Sequence, residues 1–231
     1  KRIHEKVVPM RKEDLKGLEI LSKFSAGESS GGEFFDFVKK DQQGLLLVTS
    51  SSSYVVSSII LSHFEVMKMA QDVSQKGIEK LIKNLTQELK DKNLNSSHSR
   101  TALFIARVDL ARMELEGYSF GNFQLSSPEG VEIQKNDSPL DEVFFEKTAF
   151  QKSLARGEKY LLFSPGVFKN LKEGKTDDLN EDNLPLLLEK KGREAINEVF
   201  FQMSRKVSGD FLKSDATVLS LEVDANVIRQ I

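Results

Sequence analysis

The chain has 231 residues, 39% of them hydrophobic and 29% charged, with a formal net charge of −2. That length can bury a substantial core, as one large domain or two small ones. Acids and bases are mixed throughout, so no basic face is expected and nucleic acid is excluded as a partner. The absence of cysteine excludes disulfides and thiolate metal sites, and leads to the expectation of a cytoplasmic location. No apolar run reaches the roughly 18 residues of a membrane span, and no signal peptide is visible.

In chain order, residues 1–16 are charged, carry Pro9 after Val7-Val8, and read as a linker entering a single domain over 17–231. Because the sequence begins at Lys1, an upstream sensor or membrane-linked region is expected to precede it. Leu18 to Phe24 reads as a first strand. The aromatic-rich Glu33 to Lys39 and the apolar run Gly44 to Thr49 flank Asp41-Gln42-Gln43-Gly44, which predicts a hairpin. Residues 54–70 are apolar on most faces, which predicts a helix packed between layers, with a preceding serine as its N-cap. Ile78, Leu81, Ile82, Leu85 and Leu89 recur at helical spacing within 75–92.

Beyond the polar stretch 93–100, strands are predicted over Thr101–Leu110, 112–125, 130–135, Val143–Phe150 and Lys159–Ser164. Ser126-Ser127-Pro128-Glu129-Gly130 marks a turn. Residues 170–183 read as an exposed loop and Pro185 to Lys190 as a short helix. Ala195, Ile196, Val199, Phe200, Met203 and Val207 share one face of a helix over 193–207, and Ala216–Val223 is a last strand. This order predicts an α+β fold of antiparallel sheets with helices packed outside.

Six short segments carry a family resemblance, in order, over most of the chain. They are Gly31-Gly32-Glu33-Phe34-Phe35-Asp36; Leu45 to Ser50 with the serines that follow; Phe120-Gly121-Asn122; Pro139-Leu140; Tyr160 to Gly166; and Ser214-Asp215-Ala216-Thr217. Together they resemble the PPM (type 2C) serine/threonine phosphatases, in particular the bacterial SpoIIE-like branch. The resemblance implies a four-layer α-β-β-α sandwich, two antiparallel sheets flanked by helices. It also implies a site in which carboxylates hold two Mg²⁺ or Mn²⁺ ions and a bridging water attacks a phosphoserine.

At each matched metal position the sequence departs from that pattern. Glu33 stands where the family has Asp, and is longer by one carbon–carbon bond of about 1.5 Å. Ser50, Pro165 and Ser214 replace the other three acids, while Asp36 and Asp215 remain nearby. Ser53 and Val55 replace two glycines, and a β-branched valine does not readily adopt positive φ. Hard divalent ions need charged oxygens, so the losses imply a pseudophosphatase with no cofactor.

The function expected on this resemblance is a non-catalytic signalling domain that binds a regulatory protein, such as an anti-anti-sigma-like phosphoprotein. Two other readings stay open. One is an active phosphatase using Glu33, Asp36 and Asp215 around one Mg²⁺ or Mn²⁺. The other is a structural homodimerisation module built on residues 1–16 and 54–92.

For the run Ser50, Ser51, Ser52, Ser53 the readings are a polar loop with a helix cap, or a remnant anion site at a helix N-terminus. Glu33 and Asp36 are three apart on a strand and so are predicted to face opposite sides. His63 reads as an edge-of-core histidine, and the paired phenylalanines as core.

Overall fold

A computed structural model describes residues 10–28, 32–94, 101–172, 184–205 and 212–226. Among these, eleven strands form two sheets in which every pairing is antiparallel. The first sheet contains β1 (Arg11–Leu15), β2 (Leu18–Ser25), β7 (Gln124–Ser127), β8 (Gly130–Ile133), β10 (Lys159–Phe163) and β11 (Ala216–Val223), ordered β1-β2-β11-β10-β7-β8. The second contains β3 (Phe34–Lys40), β4 (Gln43–Ser50), β5 (Ala102–Asp109), β6 (Glu114–Phe120) and β9 (Ala149–Ser153), in chain order across the sheet.

The helices are α1 (Tyr54–Ala70), α2 (Gln75–Asp91), α3 (Phe145–Thr148), α4 (Pro165–Lys172) and α5 (Gly192–Arg205). Helices α1 and α2 cover the outer face of the second sheet, and α4 and α5 cover that of the first. The result is the expected four-layer α-β-β-α sandwich.

Alternation along β4 shows how the layers form. Leu46 and Val48 enter the core between the sheets, while Leu45 and Leu47 face α1 and α2. A strand buried on both faces reads as a continuous apolar run, which is why Leu45 to Val48 carries no polar residue. Phe104, Ala106 and Val108 of β5 share the inter-sheet core, as their spacing predicts.

Caps close the two long helices. The Ser53 side chain accepts from the Val56 N–H at the start of α1, and Ser74 accepts from Gly77 N–H at the start of α2.

Several predicted elements are corrected. Arg11–Leu15 is not linker but edge strand β1, joined to β2 through Gly17 at φ +95°. Its charges face solvent at the sheet edge and only Leu15 is buried, so its composition mimics a linker. Val143–Phe150 is strand only from Ala149. Before it, Asp141 caps a 3₁₀ turn over Glu142–Phe144, and α3 places Phe145 4.7 Å from the Tyr118 ring.

The predicted loop from 170 begins inside α4, which buries Val167, Phe168 and Leu171. Residues 173–183 of that loop lie outside the described residues, as do 1–9 of the linker, 95–100 of the polar stretch and Val207 of the last helix. The segment at Pro185 is a 3₁₀ helix over Leu184–Glu189.

Candidate functional site

One end of the sandwich gathers four of the segments singled out in the sequence. β3 begins there and β4 ends there, because Phe34 pairs with Thr49. β10 ends there and β11 begins there, because Phe163 pairs with Val218. Glu33, Ser50, Ser164 and Asp215, though distant in sequence, are thus carried to one place by two antiparallel hairpin-like pairings.

Glu33 lies at the centre and is only 6% exposed. Its Oε2 accepts from Ser164 Oγ and from Thr217 Oγ1, both at 2.8 Å. Its Oε1 accepts no hydrogen bond within normal range, and it lies on the Gly166 side of the site. Burial pushes the carboxyl up to about 7. Hydrogen bonding by Thr217, Ser164 and Ser50 opposes that rise, and the neighbouring Asp215 charge adds to it.

Asp215 is buried as well, and its carboxylate serves the backbone. Oδ1 accepts from Gly27 N–H at 2.8 Å, and Oδ2 from Gly32 N–H at 3.2 Å and Glu33 N–H at 3.3 Å. It therefore fixes the approach to β3 and the height at which Glu33 enters the site. Gly166 packs so tightly behind it that a Cβ there would lie 1.6 Å from the Asp215 carbonyl oxygen.

Pro165 is the first residue of α4, a position where its missing N–H costs no helical bond. The Ser214 backbone is held by Asn170, whose Nδ2 donates to Ser214 O at 2.9 Å and to Gly166 O at 2.8 Å. The Asn170 Oδ1 accepts from the Lys213 and Ser214 N–H groups. Sequence reasoning missed Asn170, since it was placed in a loop. It also gave Ser164 and Thr217 no role, although both fall inside the matched segments.

The serine run leads from β4 into α1. Ser51 Oγ donates to Ser53 O and accepts from Ser53 N–H, while Ser53 Oγ takes the cap bond, and Ser52 is exposed. Ser53 has an extended φ of −131° and Val55 is helical, so neither position requires the backbone that a glycine would allow. Ser57 Oγ on α1 donates to Gly32 O at 2.9 Å and ties the helix to the Glu33 loop.

Asp36 points the other way. Its Oδ2 accepts from Lys68 Nζ of α1 at 2.8 Å and its Oδ1 from Arg11 Nη2 at 3.3 Å. The parity of β3 explains this: Phe35 and Phe37 pack in the inter-sheet core, and Phe34 and Asp36 face the helices. The three acids of the single-metal reading, Glu33, Asp36 and Asp215, are therefore not brought to one point.

A pair of Mg²⁺ or Mn²⁺ ions asks for several ionised oxygens at one place. Here the candidate donors are one carboxyl already accepting from two hydroxyls, neutral serines, and a carboxylate occupied by backbone N–H groups. Among the described residues no group of three or more His, Cys, Asp or Glu is placed to hold a metal. The residues present do not fit a two-metal centre.

Comparison with solved structures places this architecture. The chain is similar to RsbX in complex with magnesium, with a TM-score of 0.61 and 16% identity over 94% of this chain and 100% of that one. It is similar to the SiaA-PP2C domain of Pseudomonas aeruginosa, with a TM-score of 0.68 and 13% identity over 89% of this chain and 86% of that one. The fold is that of the PP2C phosphatases. A third PP2C structure, the phosphatase domain and regulatory-domain fragment of the cell fate determinant SpoIIE from Bacillus subtilis, matches with a TM-score of 0.63 and 12% identity over 93% of this chain and 71% of that one. No protein-family model matches the chain, and no curated protein matches it in sequence. The PP2C likeness is thus one of backbone architecture. Among the described residues, no helix is long and apolar enough to cross a membrane.

Proposed function

We propose that this chain is a non-catalytic PP2C-fold signalling domain that binds a regulatory protein, a phosphoprotein of the anti-anti-sigma kind being the partner its resemblance implies. The observation that carries this reading is the state of Glu33. In the position of a metal-binding acid it accepts hydrogen bonds from Ser164 and Thr217 instead, with its ionised form disfavoured by burial.

A hydroxyl-lined carboxyl of this kind closes the end of the sandwich from within. It supplies neither the charge that two divalent ions need nor an activated water. What remains for function is the outer surface of a rigid frame, and a cytoplasmic setting downstream of a sensor region accords with that use.

The test is hydrolysis of p-nitrophenyl phosphate with Mn²⁺, paired with calorimetric titration of Mn²⁺. The expected results are no turnover above buffer and no saturable heat. Turnover that disappears in Glu33→Ala would overturn the reading. Pull-down of a regulatory partner in phosphorylated and unphosphorylated form tests the binding role separately, and capture of neither form would overturn it.

A further inference from the structure

We draw no further inference here: the strongest candidate, the exposed face of α1 that carries Tyr54, Val55, Leu61, Val66 and Met69, holds Glu65 as well, and nothing in the structure shows what covers it.

Discussion

The Glu33 carboxylate accepts a hydrogen bond from Thr217 Oγ1 at 2.8 Å and so ties the entry of one sheet to a central strand of the other. The tie carries a pH dependence. Burial raises the folded-state pKa from 4.5 to about 7, so between those values the folded chain holds a proton that the unfolded chain has released. Stability from this group is complete below about pH 4.5 and is lost as pH rises through 7, by about 3 kcal/mol at most. Glu33→Gln keeps an acceptor for the two hydroxyls but cannot ionise. Urea unfolding at pH 5 and pH 8 is expected to show the variant close to the parent at the lower pH and more stable than it at the higher. Parallel curves for the two proteins across that range would refute the assignment.

Gly166 and Asp215 set how tightly the site is closed. A Cβ at Gly166 would overlap the Asp215 carbonyl oxygen, which is backbone and cannot swing aside. Gly166→Ala is therefore expected to destabilise by more than about 3 kcal/mol. Asp215→Ala leaves three backbone N–H groups without this acceptor and is expected to cost about 2–4 kcal/mol, with Asp215→Asn milder because one carbonyl oxygen remains. Denaturant midpoints at pH 7 rank the three variants.

Ser53→Ala separates a capping role from a ligand role. The hydroxyl accepts from Val56 N–H, so its loss is expected to lower stability by about 1 kcal/mol in thermal or urea unfolding. If the serine run held an anion, inorganic phosphate would raise the melting temperature of the parent and not of the variant. Equal melting shifts in both are the expected result.

The parts of this architecture written in periodicity were legible. The helix at 75–91 and the final strand at Ala216–Val223 follow from apolar spacing; the helix at 54–70 follows from its apolar content, but it lies on an outer layer with Val66 and Met69 exposed rather than between layers. Elements whose burial is one-sided and short were not. β1 exposes four of its five residues at least partly, and α4 is only eight residues long and begins in a segment matched as strand and loop. At the site, the gathering of Glu33, Ser50, Ser164 and Asp215 could be anticipated only through the ordered resemblance, because pairings across 130 or more residues leave no local signal. The hydroxyl clamp on Glu33 was invisible for a different reason: serine and threonine have no composition signature that distinguishes a buried acceptor's partner from an ordinary strand residue. The orientation of Asp36, in contrast, followed from counting residues along β3.

That orientation supports a last expectation. Asp36 is buried, and its partners are the Lys68 ammonium, which the hydrogen bond to Asp36 holds above its usual range, and the Arg11 guanidinium at the edge of the first sheet. The acid thus joins β1, β3 and α1, on the helix side of the sheet and away from Glu33. Asp36→Asn keeps the shape but removes the charge that Lys68 and Arg11 share, leaving them only Glu65 and Glu13, and is expected to cost about 1–3 kcal/mol. Lys68→Met leaves Asp36 with Arg11 alone. Since Lys68 is partly exposed, solvent screens the loss and the expected cost is smaller, about 1 kcal/mol. The two changes act on one cluster, so the double variant is expected to cost less than the sum of the singles in urea unfolding. Additivity within error would show that the Asp36–Lys68 contact contributes nothing to the fold, and that the acid is held in place by Arg11.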